Sequence, residues 1–229
     1  MKKRICFVFL MAVLLLAATA LAVSATEEGV YCPHCDTVVT DWTEWTATAS
    51  GSHSQTTGGH FYLSRDFKGM GGRYGIASGS ETVVLDLRGH TIESTNNRAF
   101  FVSSGTLTIL DSVGGGTMIG ARDGDGNLYV AAGAKINMYG GTAKTSKTTV
   151  SSSGGCGSVL YVLSGGEFNL YGGTLDGSAI ATRNAMSGTA CVKGTLNVYG
   201  GTVSGGNATN GGNVYLDRSE EHTSELQSR

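Results

Sequence analysis

Proline is almost absent: Pro33 is the only one in 229 residues. An active site that needs a second, cis proline opposite a cysteine pair is therefore excluded. No stretch keeps apolar residues at helical spacing for long enough to cross over between parallel strands, which excludes a βαβ architecture. An excess of positive charge is missing too. Residues 26–217 carry eleven Lys and Arg against fifteen Asp and Glu, which offers no footing for nucleic acid or an anionic membrane surface. What abounds is glycine, 36 residues of it, beside plentiful Val, Leu, Ile and Tyr. Such a composition is not that of a disordered tract. It calls for many tight turns.

Both ends differ from the middle. Lys2, Lys3 and Arg4 precede an apolar run from Ile5 to Val23, which closes on Val23-Ser24-Ala25. This reads as a secretory signal over 1–25, cleaved after Ala25, with an uncleaved anchor as the alternative. The protein is then expected outside the cell or on its surface, with no membrane span after cleavage. At the other end, "RSEEHTSELQSR" (218–229) resembles the translation of a sequencing-library adapter. It is expected to be an artefactual tail, with the natural chain running on past Asp217.

The middle repeats itself. "INMYGGT" (136–142), "FNLYGGT" (168–174) and "LNVYGGT" (196–202) recur at spacings of 32 and 28 residues. A looser copy, "LTILDSVGGGT", starts at Leu107, and "LDLRGHTI" (85–92) is an earlier relative. In step with them run "FFV" (100–102), "LYV" (128–130), "LYV" (160–162), "ACV" (190–192) and "VYL" (214–216), and a third short segment follows each Gly-Gly-Thr. Three short alternating segments per unit of about 30 residues describe a parallel β-helix. One coil cannot bury its own apolar face, so only the stack is stable. A β-sandwich is the alternative, but it does not require one heptapeptide to recur in register.

Residues 59–120, "GHFYLSRDF…VVLDLRGHTIES…RAFFVSSGTLTILDSVGGGTMIG", resemble the opening coils of secreted bacterial right-handed parallel β-helix proteins of the pectin-lyase-like superfold. Arg88 stands where such chains often carry Asn. The resemblance implies an all-β, right-handed solenoid over 59–217, preceded by a small cysteine-containing cap or linker over 26–58. It says little of activity, because this superfold hosts lyases, hydrolases, adhesins and inert stalks.

Cys32-Pro33-His34-Cys35 has the spacing of a thiol-exchange site. Such a site needs its first cysteine at a helix N-terminus, where the dipole lowers its pKa. The following "DTVVTDWTEW" is β-branched and aromatic and reads as strand. Two readings stay open: a Cys32–Cys35 disulfide, or half of a structural Zn site completed from His34, His53 or His60. Cys156 and Cys191, in neighbouring coils, are a possible second bridge.

Alternation places Ile136 and Met138, Phe168 and Leu170, and Leu196 and Val198 inward. It sends Asn137 and Tyr139, Asn169 and Tyr171, and Asn197 and Tyr199 outward as two columns. Phe101, Tyr129, Tyr161, Cys191 and Tyr215 form another outward column. Aromatic rings there can stack on sugars and amides can bond hydroxyls, or the ladders simply tie strands together. Thr108 and Asp86 are read onto the Asn column, with Arg88 two residues on. Asp86, Asp111 and Asp176 stand apart, not as the acid cluster that a lyase or hydrolase needs. "RDGDGN" (122–127) offers Asp123, Asp125 and Asn127 to Ca²⁺ but lacks the Gly and Glu that complete an EF-hand loop. His90 suits a hydrogen bond at a corner. Arg183 and Asn184 are the most distinctive residues of loops that gather on one side.

The function expected is a non-catalytic secreted or cell-surface module that binds extracellular polysaccharide or a host or cell-surface glycan. The alternatives are the N-terminal part of a polysaccharide lyase or glycoside hydrolase, and a purely structural stalk.

Overall fold

The computed structural model describes residues 29–46, 52–122, 126–148, 157–181, 188–208 and 211–217. The leader (1–25), the tail (218–229), Asp123, Asp125, Cys156, Arg183 and Asn184 lie outside them. The chain divides into two units, residues 1–40 and 41–229.

The first unit is a hairpin. Strand β1 (Val30–Cys32) pairs antiparallel with β2 (Thr37–Val39). The intervening turn is closed by the Cys35 N–H bonded to the Cys32 carbonyl at 3.1 Å, and the Tyr31 hydroxyl donates to Asp36 Oδ1 at 2.6 Å. A strand, not a helix, follows Cys35.

The second unit is a parallel β-solenoid of about five coils. Strands β3 (Thr43–Glu44), β4 (His53–Gln55), β5 (Gly59–Tyr62) and β6 (Phe67–Met70) lead in, so the residues just before 59 already pair with the sheets. Next come β7 (Tyr74–Asp86) with β8 (Thr91–Ser94), and β9 (Phe100–Leu110) with β10 (Thr117–Gly120). β7 and β9 each run through two faces of the solenoid. In later coils each is replaced by two shorter strands, giving β11 (Leu128–Val130), β12 (Lys135–Met138) and β13 (Thr142–Thr145). The next coil is β14 (Leu160–Val162), β15 (Glu167–Leu170) and β16 (Thr174–Asp176), and then β17 (Ala190–Val192), β18 (Thr195–Val198) and β19 (Thr202–Ser204). β20 (Val214–Leu216) lies on β17. Among the described residues there is no helix, and none long and apolar enough to cross a membrane.

Every heptapeptide stacks in register. Ile136 pairs with Leu107 and Phe168, and Phe168 with Leu196. Ile136, Met138, Phe168 and Leu170 are fully buried, while Leu196 is partly covered and Val198 is exposed. The two glycines of Tyr-Gly-Gly-Thr are needed for different reasons. A Cβ on Gly172 would sit 2.4 Å from the Tyr139 carbonyl oxygen of the coil below, so the first glycine allows close approach. Gly173 has φ of 84°, a conformation that L side chains disfavour, so the second makes the corner.

The leading coils are filled by aromatics. Trp45 lies edge-on to His53 and Phe61 at 5.4 Å each, and Tyr74 lies 5.7 Å from Phe100. Trp45 Nε1 and the Tyr74 hydroxyl are buried without hydrogen-bond partners. Burial pushes the Tyr74 hydroxyl upward in pKa. Desolvation holds the His53 imidazole below its ordinary pKa, against an opposing hydrogen bond with Gln55. The unfolded chain therefore binds the His53 proton more readily than the folded one. Stability from this site is complete above the unfolded pKa of about 6.5 and is lost as pH falls toward the depressed folded value. Denaturant midpoints of wild type and His53→Phe measured from neutral to mildly acid pH should diverge, the wild type falling faster. Parallel curves would rule out this assignment.

Candidate functional site

Opposite the core side of β12, β15 and β18 runs a column of amides. Asn197 Nδ2 donates to Asn169 Oδ1 at 2.8 Å, Asn169 Nδ2 to Asn137 Oδ1 at 2.9 Å, and Asn137 Nδ2 to Thr108 Oγ1 at 3.4 Å. All point the same way, a polarity that lets each bond strengthen the next. Asn137 and Asn169 are only 8% and 4% exposed. Their amides are engaged with one another. Asn169 also donates to Glu167 Oε1 at 2.7 Å, and Glu167 pairs with Lys135 at 3.0 Å. Asn169 first and Lys135 second hold the Glu167 carboxyl below its usual pKa.

Beside the amides stands the tyrosine column. The Tyr139 and Tyr171 rings stack at 4.5 Å with an 8° tilt, and Tyr171 and Tyr199 at 4.8 Å with 10°. Backbone bonds set their height: the Tyr171 N–H donates to the Met138 carbonyl and the Tyr199 N–H to the Leu170 carbonyl. Exposure reaches 39% at Tyr171 and 66% at Tyr199. Ring faces meet ring faces along the column.

Phe101, Tyr129, Tyr161, Cys191 and Tyr215 do fall in one register column. Phe101 stacks on Tyr129 at 5.0 Å, but Tyr161 meets Tyr129 edge-on at 5.3 Å and 75°. Arg73 lies 4.2 Å over the Phe101 ring and Arg98 4.3 Å over Tyr129. These arginines were not read as partners of the column, because they lie in the connections before β7 and β9. Lys193 pairs with Asp217 at 3.0 Å, and that carboxylate raises the lysine's pKa. Cys191 is buried and disulfide-bonded. The expected partner, Cys156, lies outside the described residues, but a Cβ on its neighbour Gly157 would fall 3.2 Å from Cys191 Cβ.

The separate carboxylates hold corners. Asp86 is fully buried and accepts from the Ser112 N–H (2.9 Å), the Ser112 hydroxyl (2.6 Å) and the Arg88 N–H (3.1 Å). Its column differs from the expected one: Val84 pairs with Thr108, so Val84 precedes the amides, while Asp86 pairs with Leu110 and Tyr62 and falls in line with the tyrosines. The Arg88 guanidinium lies 4.0 Å over the Tyr62 ring. Asp111 accepts from the Gly89 and Gly116 N–H groups, both at 2.8 Å. Asp176 accepts from the Ser178 N–H, and bonding to Ser178 lowers its pKa. His90 lies 3.5 Å from Asp66 at a corner. Asn127 is buried and ties β10 and β13 to the residue before β9: it accepts from the Ala99 N–H and donates to the Met118 and Lys144 carbonyls.

In the hairpin, Cys32 and Cys35 Sγ lie 3.5 Å apart, at hydrogen-bond distance. Desolvation first, then the hydrogen bond and charge of Cys32, push the Cys35 thiol up to about 11. That is the opposite of the depressed pKa of a thiol-exchange nucleophile. A tetrahedral Zn site would need two ligands besides these sulfurs; His34 of the same unit is exposed, and His53 and His60 belong to the solenoid unit.

The site is thus a surface of ladders on a parallel β-solenoid. Compared with family models, curated proteins and solved structures, the chain matches none of them.

Asn169 is the middle rung, and its loss leaves buried Asn137 Oδ1 without its donor. Asn169→Ala should lower unfolding free energy by about 1–3 kcal/mol in denaturant titration. A change within about 0.5 kcal/mol would mean the amide column does not bind the coils together.

Proposed function

We propose that the chain is a non-catalytic binding module of a secreted or cell-surface protein, and that it engages glycan along the tyrosine ridge. With this reading go export by the 1–25 leader and kinship with the pectin-lyase-like superfold. The observation that carries it is the ridge itself: three registered rings, increasingly exposed, on a face whose core needs none of them. A polysaccharide lying along the solenoid axis would meet one phenol ring per coil. At Tyr199 it would meet an aromatic surface that is mostly open. Tyr129, Tyr161 and Tyr215 extend the aromatic surface on the neighbouring face. The Asn amides serve this surface by fixing its register, since their own bonds are engaged.

Catalysis is the weaker reading because Asp86, Asp111 and Asp176 each hold backbone N–H groups at corners. A hydrolase pair must be free to protonate a leaving group or attack a sugar carbon. The stalk reading uses the same ladders without a ligand.

The test is retention on a panel of immobilised polysaccharides. The triple variant Tyr139→Ser, Tyr171→Ser, Tyr199→Ser should lose retention while keeping the wild-type β circular dichroism. Unchanged retention in the folded variant, or none by wild type on any polysaccharide, would favour the stalk.

A further inference from the structure

We propose that Tyr139, Tyr171 and Tyr199 form an oxidative cross-linking site, at which a haem peroxidase with hydrogen peroxide joins neighbouring rings and staples adjacent coils. The inference does not depend on glycan binding.

The chemistry needs two phenols that meet as radicals. Each loses one electron and one proton to the oxidant and becomes a phenoxyl radical, with spin shared by its ortho carbons. Two radicals form one carbon–carbon bond between ortho positions. The two ortho hydrogens then move to the oxygens and restore both phenols. Two tyrosines and one hydrogen peroxide thus give one biphenol and two waters.

The geometry meets the main requirement, which is proximity. Ring centroids at 4.5 and 4.8 Å with tilts of 8° and 10° hold adjacent phenols side by side along the row. The register is fixed by the β12–β15–β18 pairing, so the partners cannot drift apart. Holding two reactants in this way makes coupling effectively unimolecular, with effective concentrations far above any protein solution. Oxidant can reach the row, because Tyr171 and Tyr199 are exposed. Tyr171 has two ortho carbons and a ring on each side, so it can take part in both links.

Other tyrosines fit less well. Tyr129 and Tyr161 meet at 75°, which points an edge at a face. Tyr74 is buried, Tyr62 lies under the Arg88 guanidinium, and the exposed Tyr31 bonds Asp36 on the separate hairpin.

The full chain at low concentration is treated with horseradish peroxidase and hydrogen peroxide, then analysed by intact mass, gel filtration and proteolytic peptide mapping. The expected product is a monomer lighter by two hydrogen atoms per link. Its linked peptides join Tyr139 to Tyr171 or Tyr171 to Tyr199. Tyr171→Phe, which keeps the ring and the stacking, should abolish these links. Tyr129→Phe should leave them unchanged. The proposal is overturned if the links join separate molecules, if they map to Tyr31 or Tyr215, if Tyr171→Phe gives the wild-type product, or if oxidation yields no link.

Discussion

Every feature of the solenoid depends on side chains of one coil landing on the same side chains of the next. Parallel strands about 4.8 Å apart repeat whatever one coil presents. Inside, this stacks Leu107, Ile136, Phe168 and Leu196 into one apolar row. A buried side chain of this kind contributes about 1.5–3 kcal/mol. An outward pair across strands contributes about 0.2–1 kcal/mol. The inner columns therefore decide that the chain coils; among the outer ones the exposed tyrosines decide little about stability individually, while the buried amide rungs cost more to break. Register is a different matter. A slip by one residue would turn Ile136 outward and Asn137 into the core, so the inner rows also fix the ladders.

The outer surface inherits that order. The amides chain into a directed hydrogen-bond column and the phenols into a stack, both because Tyr-Gly-Gly-Thr makes the same corner in each coil. Gly172 lets the coils approach and Gly173 supplies the left-handed backbone. Where the earlier coils lack this heptapeptide, carboxylates take over the corner. Asp86 and Asp111 gather N–H groups from residues 22 to 26 positions away in sequence. The Asp86 and Asp111 carboxylates are thus part of the scaffold.

Much of this was legible in the residues. The recurring heptapeptide, its spacing and the alternation within it specify short parallel strands and name the inward side chains correctly for β12 and β15. Less legible was what covers an outward residue. Alternation assigns Asn137 to a face, but its low exposure comes from Thr108 and Asn169 above and below it. The column of Asp86 was misread because "LDLRGHTI" has longer spacing between its strand and its threonine than Tyr-Gly-Gly-Thr, so counting from the corner and counting along the strand disagree. The ring stacking of Arg73 and Arg98 carries no local pattern at all. It arises when connections of different coils meet over one column.

Register is the claim on which the ladders and the ridge stand, and disulfide trapping on the third face tests it most directly. Thr142 and Thr174 are directly paired across β13 and β16. With Cys32 and Cys35 replaced by serine, Thr142→Cys with Thr174→Cys should close a disulfide under mild oxidation, because paired strands bring Cα atoms within bonding reach. The offset pair Thr142→Cys with Leu175→Cys points its two thiols to opposite faces and should stay reduced. Equal or faster closure of the offset pair would contradict the stacking from which everything else here follows.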